Sequence, residues 1–344
     1  MAGPGLDHLA RPDVLGPVLA AATGDDRWGE CRATLIGGGK SNLTFELSSA
    51  AGELILRRPP SGDLLPSAHD MGREARVQRA LVGSPVPVPA VLLSDDGELL
   101  GVPCYVMAKV AGRVIRDELP AGYADSPSDR ATMADVLVEV LADLHEIDPV
   151  AAGLADYGRP DGFVERQLRR WTRQWQGSMS EPVPAVDELA ARLGRRLPRQ
   201  ARSSIVHGDY RLDNCLLGAD DPSRIAAVLD WELSTLGDPL TDLGMLLFYW
   251  VEPGEPPPML TPALTQQSGF PGRRHLAERY ARRTGLELAD LAFYEAFAHF
   301  KFAAIAQGIA ARVAAGSMAG QDFGDLSGEV LRIAETGLAR LREE

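Results

Sequence analysis

Two kinds of periodicity divide this chain. Short apolar runs of β type occupy residues 33–36, 43–47, 53–57 and 104–107, where β-branched and alternating residues suit a pleated strand. A helical stretch containing Glu74 interrupts them at about residues 69–82. Each proline of Ser84-Pro-Val-Pro-Val-Pro89 removes a backbone donor, so this segment reads as a stiff connector. From about residue 113 onward the period lengthens. Met133, Val136, Leu137, Val140, Leu141 and Leu144 fall at 3- and 4-residue steps and form one apolar face over residues 131–147. Residues 240–250, 273–283, 288–312 and 328–342 also read as helices, and Pro253-Gly-Glu-Pro-Pro-Pro258 marks a loop. No internal repeat is present. The pattern predicts an α+β chain, with a small β-rich part over residues 13–110 and a larger, mostly helical part over 111–344.

Composition narrows the setting. No apolar run approaches the roughly 20 residues that span a bilayer, and the first residues lack a charged-then-apolar leader pattern. A cytoplasmic protein with no membrane partner is the expectation. Cys31, Cys104 and Cys215 are odd in number and widely spaced, which argues against a disulfide framework or a zinc site. They read as small buried hydrophobes. A net charge of −13 argues against nonspecific nucleic-acid binding. The only lysines are Lys40, Lys109 and Lys301; this scarcity reads as the coding bias of a GC-rich bacterial genome.

The chemistry concentrates in His207-Gly208-Asp209-Tyr210-Arg211-Leu212-Asp213-Asn214, followed sixteen residues later by Asp230 in Leu229-Asp230-Trp231-Glu232. A lone His-x-Asp is ordinarily a loop or capping feature. The Asn five residues on, and the Asp-Trp-Glu after an apolar run, make the set far more restrictive. Phosphoryl transfer needs a carboxylate to position the attacking hydroxyl and oxygen ligands for Mg²⁺ on the nucleotide phosphates. Asp209 can supply the first, and Asn214 with Asp230 the second; the spacing is that of the kinase Asp-x-x-x-x-Asn. The expected fold is therefore a bilobal, protein-kinase-like one, with the nucleotide between a β-rich N-lobe and a helical C-lobe.

On the nucleotide side, Gly37-Gly38-Gly39-Lys40-Ser41-Asn42 joins two short strands. Its glycines would let backbone N–H groups approach phosphate, and Lys40, Ser41 and Asn42 add donors. Three glycines between strands also make an ordinary hairpin, and the Walker pattern is absent. A kinase sets a lysine on the third strand, paired with a helix glutamate. The strand Glu53-Leu-Ile-Leu-Arg57-Arg58 has no lysine, and alternation places Arg57 beside Ile55 on one face. Arg57 is the expected phosphate-holding cation, with Glu74 as its partner. The backbone from Met107 through Lys109 to Val110 is the expected adenine edge. ATP is the expected donor; the sequence does not separate it from GTP.

As a set these residues resemble the aminoglycoside phosphotransferase and choline kinase superfamily, over roughly residues 13–335. The features that carry the resemblance are His207-Gly-Asp209 through Asn214, Val228-Leu-Asp230-Trp-Glu232, and Leu144-His145 late in a long helix. Leu56-Arg-Arg-Pro-Pro60, Leu64-Leu-Pro-Ser-Ala-His69, Gln167-Leu-Arg-Arg-Trp171 and Asp230-Trp-Glu-Leu-Ser-Thr-Leu-Gly-Asp-Pro239 look like the kinase-like domain fused to some acyl-CoA dehydrogenases. The resemblance implies that Asp209 is the catalytic aspartate and that Asn214 and Asp230 are the metal ligands. The missing strand lysine departs from the antibiotic-kinase pattern. His207 reads as a loop-holding residue, His145 as a packed histidine, and Asp238 and Asp242 as caps and braces of the helix that follows them.

The expected acceptor is a small molecule with a hydroxyl. Arg166, Arg169, Arg170 and Arg173, near Trp171 and Trp175, would share one helix face. Such a face can receive an anionic group such as a CoA phosphate, or it is a solvated basic face paired with nearby acids. Glu232 is a further acceptor-side candidate. The subgroup resemblance favours a hydroxyacyl-CoA and a functional link to an acyl-CoA dehydrogenase. Asp322, Asp325 and Glu329 keep an aminoglycoside acceptor open, and a catalytically silent nucleotide- or acyl-CoA-binding regulator is the alternative from another class. No Ala-Pro-Glu follows Asp230, so a protein kinase is disfavoured.

Overall fold

The computed structural model describes residues 6–36, 42–60, 70–200, 202–316 and 324–342. The chain forms two compact units. One comprises the chain up to Ala111 together with Ala226–Ser234; the other comprises Gly112–Ile225 and the chain from Thr235 onward.

In the first unit, helix α1 (Pro12–Thr23) precedes strands β1 (Arg32–Leu35), β2 (Leu43–Ser49) and β3 (Gly52–Arg58), helix α2 (Met71–Leu81), and strands β4 (Val91–Asp95) and β5 (Cys104–Ala108). The strands form one sheet in the order β1-β2-β3-β5-β4, with antiparallel pairs. Period-2 alternation along β3 sorts its side chains. Leu54 and Leu56 enter a core with Phe45, Leu47, Cys104 and Val106. Ile55, on the opposite face, packs with Met71, Ala75, Tyr105 and Met107. Arg57 therefore emerges on the face covered by α2. The helix begins at Met71 because Asp70 caps it, accepting from the Arg73 amide at 2.9 Å.

The pattern reading missed α1 and β4. Pro17 sits inside α1, where a proline argues against a helix. β4 is a half-buried edge strand and shows no clean alternation. The return segment is fastened to this unit by Val228, whose amide donates to the Pro87 carbonyl at 2.8 Å.

The second unit is mostly helical: strand β6 (Arg113–Val114), helices α3 (Pro127–Glu146), α4 (Phe163–Ser178) and α5 (Pro184–Arg195), strands β7 (Ser204–Val206) and β8 (Cys215–Leu217), then β9 (Ile225–Val228), which carries the chain into the first unit. After the return come β10 (Thr235–Gly237) and helices α6 (Leu240–Tyr249), α7 (Arg273–Thr284), α8 (Leu291–Ala314) and α9 (Leu326–Arg340). The start of α3 is set by a capping box of Ser126 and Asp129, with Pro127 in the first turn. α6 is apolar almost all round, as a central helix must be. It approaches α8 so closely that a Cβ on Gly244 would stand 2.5 Å from the Tyr294 carbonyl oxygen. Pairing of β7 with β10, Ile205 opposite Leu236, fixes the point where the chain turns into residues 207–214. Among the described residues no helix is long and apolar enough to cross a membrane.

Candidate active site

In the second unit, residues 207–214 leave the end of β7 and are held by their backbone. Gly208 has φ +85°, a left-handed conformation that glycine adopts without strain. The amides of His207 and Gly208 donate to the Asp242 carboxylate at 2.6 and 2.8 Å. Asp242 is fully buried and also bonds His145 Nε2 at 3.2 Å, while His145 Nδ1 meets the Tyr280 hydroxyl at 2.7 Å. Burial alone would raise the Asp242 pKa; the His145 and His207 contacts outweigh it and hold the carboxyl below its usual range. Asp242 thus braces this loop, not the helix it belongs to, which corrects the capping role expected of it. Asp238 does serve the helix start, accepting from the Leu240 amide at 3.0 Å and from the Tyr294 hydroxyl at 2.7 Å. His207 Nδ1 accepts from the Asp209 amide at 3.2 Å.

The Asp209 carboxylate is oriented at both oxygens. Oδ1 accepts from the Tyr249 hydroxyl at 2.7 Å, and Oδ2 from Asn214 Nδ2 at 3.0 Å. Burial and the neighbouring Asp209 push the Tyr249 pKa well above that of a free phenol, so it remains a donor. Asn214 Nδ2 also donates to the Asp209 carbonyl at 2.9 Å. Its amide nitrogen is thereby committed, and its oxygen is the atom suited to a hard cation. Arg211 lies 3.4 Å from Asp209 and 3.2 Å from Asp213, with its guanidinium 5.0 Å from the Tyr249 ring centroid.

In the first unit, Arg57 is enclosed between two carboxylates. Its Nη2 donates to Asp230 Oδ1 at 2.9 Å, and its Nε lies 3.4 Å from Glu74 Oε2. Burial opposes the guanidinium charge, but Tyr105, Glu74 and Asp230 more than offset it and raise the Arg57 pKa. Glu74 is 1% exposed and accepts from the Tyr105 hydroxyl at 2.9 Å and from Asn42 Nδ2 at 3.1 Å. Burial pushes the Glu74 pKa up, against the pull of Arg57. Asn42 Nδ2 also lies 3.3 Å from Glu232 Oε2. Asp230 has φ +65°, one of three non-glycine residues with positive φ among those described. That conformation costs roughly 1–2 kcal/mol. It is held in place by the buried Trp231, whose indole donates to the Val228 carbonyl at 3.0 Å.

The structure thus brings Asn42, Arg57, Glu74, Asp230 and Glu232 together in one unit, and Asp209 with Asn214 in the other. Glu232, expected on the acceptor side, is bonded to Asn42. Met107 is packed into the core of the sheet. The Lys109 ammonium pairs with Glu46 at 2.7 Å and Glu53 at 2.9 Å. Gly38, Gly39, Lys40 and Ser41 lie outside the described residues.

The four arginines do share helix α4, but two are engaged: Arg166 donates to the carbonyls of Arg159 and Asp161, and Arg169 pairs with Glu165 at 2.9 Å. Arg170 sits 5.3 Å from the Trp171 ring centroid. Of the acids that kept an amine acceptor open, Asp325 caps α9 through the Gly328 amide at 3.0 Å. The buried Glu329 accepts from the Met259 amide at 2.8 Å and pairs with Arg332 at 2.9 Å. Asp322 lies outside the described residues.

Tyr249, Arg211 and the brace Asp242 escaped the sequence reading. Tyr249 ends a helix with no local motif, and an aspartate at a helix start reads as a cap. Among the described residues no group of three or more His, Cys, Asp or Glu side chains could hold a metal ion. Mg²⁺ commonly takes only one or two protein carboxylates, its other ligands being phosphate oxygens and water.

Residues 32–297 match the family model described as the Phosphotransferase enzyme family. The chain belongs to that family. It is similar to acyl-CoA dehydrogenase family member 11 of Rattus norvegicus, 39% identical over 321 residues, which is 92% of this chain and 41% of the rat protein. The chain thus spans less than half the length of such curated relatives. Among solved structures it resembles a Ralstonia eutropha JMP134 protein provisionally assigned as an aminoglycoside phosphotransferase. That match has a TM-score of 0.78 and 34% identity, covering 91% of this chain and 93% of the other. A choline/ethanolamine kinase family protein from Mesorhizobium loti shares the fold at a TM-score of 0.60 and 18% identity, covering 99% of this chain and 100% of the other. The fold is α+β and of the kinase-like phosphotransferase class, as the sequence predicted. Relatives in animals give no support to a bacterial reading of the arginine-rich composition.

Proposed function

We propose that this chain is an ATP- and Mg²⁺-dependent phosphotransferase acting on a hydroxyl of a small metabolite. The observation that carries the reading is the Asp209 carboxylate, fixed by Tyr249 and Asn214 on a fully braced loop. Asp209 orients the acceptor hydroxyl and takes its proton as the acceptor oxygen bonds to the γ-phosphorus. The bond from that phosphorus to the β-phosphate oxygen breaks, and ADP leaves. The proton then passes from Asp209 to solvent. Asn214 and Asp230 are hard oxygen donors and fit Mg²⁺, which when bound neutralises charge on the nucleotide phosphates. Arg57, kept charged by Glu74 and Asp230, is the phosphate-holding cation in place of lysine. Residues 13–110 serve the nucleotide and 111–344 the catalytic and acceptor chemistry.

A hydroxyacyl-CoA is the acceptor we favour. The names of the curated relatives support it, as do Arg170 and Arg173, the two α4 arginines engaged neither by a carboxylate nor by a backbone carbonyl among the described residues. An aminoglycoside is the second reading, favoured by the assignment of the Ralstonia protein, but Asp325 and Glu329 are committed elsewhere in the fold.

The test is ADP release from Mg-ATP across hydroxyacyl-CoAs, aminoglycosides, choline and simple sugars, with Asp209→Ala as control. Acceptor-dependent release that vanishes in the variant is expected. Release that survives in the variant removes Asp209 from this role.

A further inference from the structure

We propose that Lys301 is a positioning residue for phosphoryl transfer, setting the direction of Asp209 through the carbonyl of Gly208. This rests on the function proposed above. Lys301 stands in α8 within the apolar run Phe300-Lys301-Phe302-Ala303-Ala304 and is 7% exposed. The other described lysine, Lys109, lies at the surface between two glutamates. Lys301 makes no ion pair among the described residues. Its Nζ donates to the Gly208 carbonyl at 2.5 Å and lies 5.6 Å from the Trp171 ring centroid.

A buried ammonium with so few partners is costly, and methionine would fill similar space without that cost. Packing therefore does not account for the charge. Geometry does. The Gly208 carbonyl and the Asp209 N–H belong to one peptide plane, which is rigid. Lys301 holds the carbonyl edge of that plane, and His207 Nδ1 holds the N–H edge at 3.2 Å. The plane's tilt decides where the Asp209 side chain leaves the backbone. Because residue 208 is a glycine at φ +85°, side-chain sterics do not keep the plane from flipping. Two hydrogen bonds, one from a cation, do so instead. Burial lowers the Lys301 pKa while nearby Asp209 and Asp242 oppose that shift, in keeping with an ammonium placed for these carboxylates.

The experiment compares Lys301→Met and Lys301→Gln in the full chain. Three measurements are made: thermal melting, ADP release from Mg-ATP with water as acceptor, and amide hydrogen exchange over residues 204–215 and 291–314. Lys301→Met is expected to stay folded and to lose about 10²-fold in kcat, the scale of a misplaced catalytic group. KM for ATP should hold within about twofold, and exchange should quicken at residues 207–210 alone. Lys301→Gln, which keeps a donor, should recover part of the loss. Wild-type turnover in Lys301→Met, equal losses in both variants, or exchange quickened throughout α8 would each overturn the proposal. The underlying reading fails separately, if Asp209→Ala releases ADP as the wild type does. If the wild type itself releases none, exchange confined to residues 207–210 still supports the positioning role, and unchanged exchange refutes it.

Discussion

The loop at 207–214 and the group around Arg57 reach order by opposite routes. The loop is eight contiguous residues whose backbone is bonded at nearly every turn: to Asp242 twice, to His207 and to Lys301. Its left-handed position is filled by glycine. The Arg57 group is gathered from residues 42, 57, 74, 105 and 230, and side chains alone join it. Its left-handed position is filled by an aspartate, at a cost in strain. Order built on the backbone survives the loss of a side chain that does chemistry. Order built on buried charges does not survive the loss of one charge, because its partner is left desolvated.

This contrast can be broken in four ways. Asp209→Ala should cut turnover by about 10²–10⁴-fold while ATP affinity and melting temperature barely move, as steady-state kinetics and a thermal melt would register. A large fall in melting temperature would mean the loop depends on that side chain after all. Arg57→Ala should be costly in stability, by about 3–5 kcal/mol, because Glu74 is left buried without its cation. ATP affinity should fall with it, measured by calorimetry on the folded fraction. An unchanged affinity would transfer the phosphate-holding role to Lys40.

The third test concerns the helix that carries Lys301. Burial lowers the pKa of His299 from the usual 6.5 to about 4. The folded state therefore favours the neutral ring. Its contribution is fully present above pH 6.5 and is lost as pH falls towards about 4, amounting to roughly 3 kcal/mol. Urea unfolding across that window should lose stability in the wild type and show a flatter profile in His299→Phe. Equal slopes would put the acid sensitivity elsewhere. The smallest effect belongs to Arg169→Ala on the surface of α4. Its pair with Glu165 is worth about 0.3–0.5 kcal/mol, so urea midpoints should nearly coincide.

Legibility in the sequence followed the same contrast. The loop could be read because the residues proposed for its chemistry, Asp209 and Asn214, sit at fixed spacing on one short segment; Asp230 stood out by its own Asp-Trp-Glu after an apolar run. Arg57 could be chosen because strand alternation fixes its face, and Glu74 because a helix follows. What joins distant segments left no local mark. Asp242, 35 residues beyond His207, looked like a helix cap. Lys301 looked like a residue of coding bias, although a lone lysine within Phe297-Ala-His-Phe-Lys301-Phe-Ala-Ala was a signal available in the sequence. Tyr249 carried no signal. The basic face of α4 was legible as a face, and the pair of Arg169 with Glu165 four residues earlier is the nearby-acid reading of it; the bonds of Arg166 to the carbonyls of Arg159 and Asp161 depended on a turn that only the fold supplies.

The most direct test of the account is transfer of labelled γ-phosphoryl from Mg-ATP to a hydroxyacyl-CoA, followed in a single turnover with wild type and Asp209→Ala side by side. The account predicts label appearing in an acceptor phosphate ester with the wild type and none with the variant, at equal ATP occupancy. Label transferred equally by both proteins would contradict it.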